Sequence, residues 1–398
     1  MQKSPLSALV ASSMLLTLGL SRLSAVQATE LTTEYLAVNG LNFTCSVLKK
    51  KKEDETTHQH KDVMLLHGFP YSREWWSPLL NLWANTTSIS VHAVACNMRG
   101  YSAGASPDNI EDYSFDKLEA DVLALTKAAG FEQKDGFHLL GHDHGAGLGY
   151  YIAANNPTKV QSFTSLSAPH PKLMSEALCG DNTDEAQVLA FTYTNQYSLP
   201  DSASRNNASL TRFYRTFGLI DDSLQPEQFQ KMLWWYNRSH EHWSVPRVVS
   251  DEEVVEYGSP FFLTSQRQAI PLEERPCMPV EESAQVGTVE APVLFICGAQ
   301  DPYVLCNNDY AVNVPANLMP NFEHASFRCE HNFFDEGNCD DREESQAVMD
   351  TITAFVLGNE EAIFHDEDET NVASGGATTV AVPLFAAFLS GLMSLIAM

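Results

Sequence analysis

Basic residues are scarce in this chain. Its 398 residues hold 24 Lys and Arg against 51 Asp and Glu, a formal net charge of −27. A surface so acidic repels phosphate backbones and anionic lipid headgroups, which excludes a nucleic-acid-binding role and electrostatic docking on a membrane. No C-x-x-C occurs among the 8 cysteines, which argues against a zinc ribbon or a dithiol redox pair. No internal repeat is visible. Between residues 172 and 285 there is no clear buried strand, only helical and irregular segments rich in aromatics. Residues 380–398 carry no charge at all.

What is present is ample for a large core, since 44% of the residues are hydrophobic. Residues 1–28 read as a secretory signal: Lys3, an apolar stretch, and a small-residue cleavage site at Val26-Gln27-Ala28. The uncharged tail follows an acidic linker (359–370) and a small, polar stretch (371–379), the pattern of a GPI-attachment signal, with a plain tail anchor as the other reading. Either tether places the chain outside the cell, on the secretory route. Four N-x-[ST] sequons, at Asn42, Asn85, Asn207 and Asn237, and an even cysteine count agree with that compartment.

The hydropathy pattern predicts an α/β fold. Asn39-Gly40 marks a hairpin between two strands within 35–48. Residues 49–62 are charged and read as a solvated loop. A short, fully apolar strand follows at 63–66, with further strands at 88–95, into Asp143, and at 162–166, alternating with helical segments at 75–83, 115–129 and 148–155. That alternation implies a parallel sheet with helices on both faces. The sheet resumes at 291–298, and a last helix ends at 352–357. The expected organisation is a signal peptide (1–28), a first core part (30–171), a helical cap (172–285), a second core part (286–358), and a linker with tail (359–398).

The centre of the pattern is Gly141-His142-Asp143-His144-Gly145. It places a carboxylate on a tight turn between a strand and a helix, exposed and beside backbone N–H groups. An N-cap role would also suit an Asp there. Gly100-Tyr101-Ser102-Ala103-Gly104 fits the serine-nucleophile pattern, but loop residues follow it where that pattern requires a helix, so Ser102 is set aside.

His67-Gly68-Phe69-Pro70, Arg99-Gly100-Tyr101 and the Asp143 turn, in that order, resemble the α/β-hydrolase superfamily. The Asp at the nucleophile position is similar to the epoxide hydrolase and haloalkane dehalogenase branch. The resemblance implies an α/β-hydrolase fold, a mostly parallel sheet flanked by helices with an inserted helical cap. It implies hydrolysis of a small hydrophobic substrate with no cofactor and no metal. It assigns Asp143 as nucleophile, Asp301 as orienting acid, His331 as base (with His324 the rival), and the N–H groups of Phe69 and His144 as oxyanion hole. In the cap, Tyr193 and Tyr236 match the two proton-donating tyrosines. The acidic run 249–253, which usually comes before the second tyrosine motif, here follows Tyr236, so Tyr257 also stays in play. His144 stands where relatives place Trp, and no arginine follows Asp143 to hold a carboxylate, which argues against acidic substrates. The resemblance thus favours epoxide opening, with dehalogenation as the alternative on the same scaffold and a non-catalytic hydrolase-fold receptor as a third reading. A Cys306–Cys329 disulfide, or Cys306–Cys339, would brace the acid and base loops against each other, while Cys297 reads as simply buried.

Overall fold

The computed structural model describes residues 30–50, 60–86, 88–132, 136–181, 183–191, 193–197, 226–239, 242, 280, 285–306, 309–335 and 337–358. The signal segment, Asn207, Tyr257, the acidic linker and the apolar tail lie outside the described residues. Among the described residues, no helix is long and apolar enough to cross a membrane.

Strands β1 (Glu30–Val38) and β2 (Leu41–Lys50) form the hairpin expected at Asn39-Gly40. Both turn residues have positive φ (51° and 75°), which Asn and Gly tolerate best and which matches the twist of the flanking strands. The sheet continues through β3 (Lys61–Leu66), β4 (Val91–Cys96), β5 (Phe137–His142), β6 (Val160–Leu166), β7 (Val293–Gly298) and β8 (Phe322–Phe327). Its spatial order is β1-β2-β4-β3-β5-β6-β7-β8. The pairs β1/β2 and β2/β4 are antiparallel, and every later pair is parallel. All residues of β4, β5 and β7 are buried, because the sheet is covered on both faces.

Helices α1 (Ser77–Asn85), α2 (Phe115–Ala129), α3 (His144–Asn155) and, near the end of the described chain, one over Arg342–Leu357 flank the sheet. Two apolar layers result. One holds Val94, Leu118, Val122, Leu139 and Ile152; the other holds Trp76, Leu80, Trp83, Ile296 and Ile352. After β6 the chain turns at Ser167 and runs through α4 (Pro171–Cys179), α5 (Glu185–Phe191), α6 (Tyr193–Tyr197) and α7 (Pro226–Ser239) before β7 begins.

The charged run at 49–62 is not wholly a loop. Lys50 ends β2 with its ammonium on the Ala84 carbonyl, and Asp62 is buried in β3. Both contribute backbone to the sheet, which the absence of apolar side chains had concealed. Of the sequons, Asn42 and Asn85 are exposed and Asn237 is half-buried.

The Arg99 side chain is 7% exposed and forks onto Asp121, with Nε–Oδ2 at 2.7 Å and Nη2–Oδ1 at 2.8 Å. Arg99 also donates to the Asp112 carbonyl (2.9 Å), and Asn39 donates to Asp121 (2.9 Å). The pair thereby fixes the loop after β4 to α2 and to the β1–β2 turn. Asp121→Ala strands the guanidinium without its counter-charge and is expected to cost about 3–5 kcal/mol in urea unfolding, more than the paired replacement Arg99→Leu with Asp121→Leu.

The disulfides differ from the expected bracing. Cys306 pairs with Cys297, nine residues away, and Cys329 with Cys339, ten residues away. Cys329 and Cys339 face each other across an antiparallel bridge. Flanking bonds from Glu330 N to the Asn338 carbonyl (2.6 Å) and from Asp340 N to the Arg328 carbonyl (2.9 Å) close the same small loop. The base loop is therefore tied to itself, not to the acid loop, and Cys297 is bonded as well as buried. Cys45–Cys96 joins β2 to β4, and Cys179 is bonded too, so no described cysteine is free.

Candidate active site

Strand β5 delivers Asp143 into an elbow. Its backbone has φ 53° and ψ −122°, and helix α3 starts at the next residue. The amides of Ala146 and Gly147 donate to the Asp143 carbonyl (2.9 and 3.1 Å), and the Asp143 amide donates to the Leu166 carbonyl (3.1 Å). The turn is tight enough that a Cβ at Gly145 would strike the carbonyls of Leu66 and His67. So strained a backbone persists only because its surroundings hold it. Asp143 is the residue preceding α3, as the N-cap reading required, but its side chain makes no cap bond.

The carboxylate faces two partners. Oδ1 accepts a hydrogen bond from the Phe69 amide at 2.9 Å, and Oδ2 lies 3.4 Å from His331 Nε2. On its other side His331 Nδ1 meets Asp301 Oδ2 at 2.8 Å. Asp301 Oδ1 accepts from the amides of Tyr303 (2.8 Å) and Val304 (3.1 Å), which orient it. The His331 carbonyl is bound by His142 Nε2 at 2.9 Å, and His142 stacks on Trp75 with ring centroids 4.0 Å apart. The Trp75 indole donates to Asn332 Oδ1 (2.8 Å), so the histidine loop is held at the His331 carbonyl and at the residue after it. His324, on β8, instead contacts Cys297 Sγ at 3.3 Å.

Phe69 is positioned by His67, whose buried ring lies 2.9 Å from the Gly68 carbonyl through Nδ1 and accepts the Met98 amide through Nε2 (3.0 Å). Burial pushes its pKa down to about 4, so the ring is neutral and Nδ1 carries the proton. Gly68 leaves no room for a side chain: a Cβ there would overlap Asp143 Cβ and Oδ1 and come within 2.7 Å of the His142 carbonyl. Gly68→Ala is expected to lower kcat/KM by about a hundredfold or more, because an ångström of displacement at the carboxylate suffices for that.

Burial pushes the Asp143 carboxyl up, but the imidazoles around it, His144, His331 and His142, would each lower it when protonated, and with the hydrogen bond from His331 it lies well below the usual carboxylate range. Burial drives His142 down to about 3 and lowers His144. Both are uncharged near neutral pH, so the His331 contribution is the one that operates. Burial pulls His331 down, yet Asp301 and Asp143, through charge and hydrogen bonds, hold it up at about 10.

Helices α6 and α7 bring the two expected tyrosines together. The rings of Tyr193 and Tyr236 lie 6.0 Å apart, with Tyr197 5.4 Å from the first and 5.2 Å from the second. Tyr236 also packs 3.9 Å from the His144 ring and 5.3 Å from Phe69. The neighbouring Trp235 donates its indole N–H to the Arg99 carbonyl (2.8 Å), anchoring α7 to the loop after β4. Burial first, then the charge of Asp143, raises the Tyr193 phenol well above its ordinary value.

Two aromatic neighbours carried no expectation. Tyr303 lies 5.1 Å from the His331 ring and 5.3 Å from Tyr193, and Tyr71 lies 5.3 Å from the His142 ring. The signal available for them was position alone, two residues after Asp301 and directly after the His-Gly-Phe-Pro turn. Ser102 is far from this chemistry in role: its hydroxyl accepts the Thr44 amide (3.0 Å) and donates to the Asn97 carbonyl (3.2 Å), tying a loop to β2. Among the described residues, two side-chain groups could hold a metal ion, Cys297/Cys306/His324 and His60/Asp62/His92, and neither includes Asp143, Asp301 or His331. The first spends its sulfurs in a disulfide.

A family model of the alpha/beta hydrolase fold matches residues 62–338, more than half of the chain. This chain belongs to the α/β-hydrolase family. Similar α/β-hydrolases include a fluoroacetate dehalogenase from Burkholderia sp, 35% identical over 107 residues (26% of this chain, 33% of that one). Another is epoxide hydrolase 3 of Xenopus tropicalis, 27% identical over 138 residues (35% of each chain). These matches span about a third of the relatives' lengths. Among solved α/β-hydrolases, an epoxide hydrolase from Bacillus megaterium superposes with a TM-score of 0.53 at 21% identity, covering 81% of this chain and 99% of that one. That likeness concerns the fold.

Proposed function

We propose that this α/β-hydrolase opens an epoxide to a diol through an ester on Asp143. The observation that carries the reading is the split engagement of one carboxylate: Oδ1 on the Phe69 amide and Oδ2 facing the His331–Asp301 pair. Asp143 is ionised without help and attacks a saturated carbon through Oδ2. The strained C–O bond breaks, and Tyr193 and Tyr236 supply the proton the alkoxide needs. The Tyr193 phenol, raised by burial and the Asp143 charge, keeps its proton across neutral pH and holds it for donation.

The resulting ester must be cleaved by water. Esterification removes the Asp143 charge that helps hold the His331 proton. The proton His331 then releases restores the donor phenol. The neutral imidazole, steered by Asp301, takes a proton from water as it attacks the ester carbonyl. Oxyanion charge falls on the Phe69 amide, which already touches Oδ1, and on the amide of His144 at the start of α3. The diol leaves and Asp143 is regenerated.

This scheme fixes a pH dependence. Asp143 stays ionised on mild acidification, so ester formation is expected to hold level from neutral pH into the mildly acidic range. Ester hydrolysis needs neutral His331 and is expected to fall roughly tenfold per pH unit below the pKa of that ring in the ester. Single-turnover kinetics at several pH values would show ester accumulating as pH drops.

The dehalogenase relative gives the rival reading. Styrene oxide and a neutral haloalkane such as 1-bromobutane, offered in parallel, separate the two. Diol without bromide release supports epoxide opening, bromide release without diol overturns it, and neither product would favour the receptor reading. Helices α4 to α7, between β6 and β7, act in this proposal as the cap that carries the phenols. We propose further that the chain follows the secretory route, where disulfides such as Cys45–Cys96 persist.

A further inference from the structure

At the end of the sheet opposite Asp143, a second cluster of buried polar groups takes no part in this chemistry. Asp62 is the second residue of β3, His92 stands beside it in register on β4, and His60 immediately precedes β3. Asp62 Oδ1 lies 3.1 Å from His60 Nε2 and 3.3 Å from His92 Nδ1. The side chains of Asp62 and His92 are only 4% and 6% exposed, and that of His60 20%. The other Asp62 oxygen accepts the Glu132 amide at 2.6 Å, which aims Oδ1 at the two imidazoles. The His92 ring is set edge-on against Phe131, with centroids 5.0 Å apart.

Close as these atoms are, two of them, His60 Nε2 and Asp62 Oδ1, are buried without a well-directed hydrogen bond. Buried polar atoms are nearly always paired, and each exception needs an explanation. A shared cation supplies one. Ligand atoms about 2.0–2.2 Å from a tetrahedral zinc ion stand roughly 3.3 Å apart, the spacing seen here. One ligand atom from each residue lies within 4.8 Å of the others.

We propose that His60, Asp62 and His92 form a binding site for a zinc-type divalent ion, separate from the hydrolase centre. Two imidazoles and a carboxylate are a borderline donor set that suits zinc. The partly exposed His60 leaves a fourth position open to water. The site stands roughly 13 Å along β3 from Leu66, at about 3.3 Å per residue, at the opposite end of the strand from the turn that carries Phe69. It touches no reacting atom. Its effect is to fasten the starts of β3 and β4 to each other and to the segment after α2, through Asp62 and Glu132.

The test uses the untagged full chain, stripped with a chelator, dialysed against zinc and then against metal-free buffer. We expect one equivalent of zinc per chain by elemental analysis, a rise in Tm on zinc addition, and a tetrahedral absorption signature with cobalt. His60→Gln and His92→Gln should lose the equivalent and the Tm response while epoxide or halide turnover stays at the parent level. His60 is partly exposed, so its variant is expected to fold even if His92→Gln does not. Failure of the parent chain to retain zinc overturns the proposal, as does equal retention by His60→Gln. Both readouts are independent of which substrate the Asp143 site takes.

Discussion

His331→Gln is expected to stop the enzyme half-way through its cycle. Attack by Asp143 on an epoxide needs the carboxylate and the donor phenols, all of which the variant keeps. Ester cleavage needs a base facing the carbonyl, and no other described side chain stands between Asp143 and Asp301 as His331 does. One equivalent of epoxide should therefore be consumed and remain on the protein as a mass increase equal to the substrate. Steady turnover should fall by about 10²–10⁴, the usual contribution of a positioned base. Intact-protein mass spectrometry reads the adduct directly. An inactive variant that never gains mass would place His331 in the first step instead of the second.

Removal of the phenols should produce the converse. Tyr193→Phe and Tyr236→Phe keep the packing around Phe69 and His144 but delete a proton donor. Each is expected to slow ring opening by about 10–10²-fold, and the pair by about 10³–10⁴, within the range for general acids. Ester hydrolysis, measured on ester formed before quenching, should be nearly unchanged. Tyr197, whose ring lies within 5.5 Å of Phe69 and within 5.4 Å of Tyr193, is the control. If Tyr197→Phe costs more than either, the donor lies in the right cluster but on a different residue. A dehalogenation assay distinguishes the chemistry, because a halide leaves without needing a proton.

The parts of this molecule that were legible in advance are those encoded locally. Asn39-Gly40 imposes a turn whatever surrounds it, and the apolar face of 115–129 specifies a helix with those same limits. The elbow was legible because glycines must flank so close an approach of strand and helix. The acid and base were found by motif, and the 2.8 Å contact between Asp301 and His331 agrees with that placement. The disulfides were not legible, since pairing depends on whether a loop folds back on itself. Cys329 meets Cys339 through a bridge that sequence spacing does not announce. Lys50 and Asp62 misled for a related reason: charge suggested solvent, whereas their neighbours in the sheet bury them. The tyrosine cluster is assembled from α6, α7 and the loop after Asp301, segments distant in sequence whose convergence only the fold displays.

A single turnover in heavy-oxygen water tests the central claim. With enzyme in excess over epoxide, the first diol should carry solvent oxygen nowhere, and the peptide containing Asp143 should gain one heavy oxygen in its carboxylate. The covalent route requires this, because the oxygen that leaves with the product is the one Asp143 delivered. Label in the first diol together with an unlabelled Asp143 peptide would show that water attacks the substrate directly, and would contradict the ester.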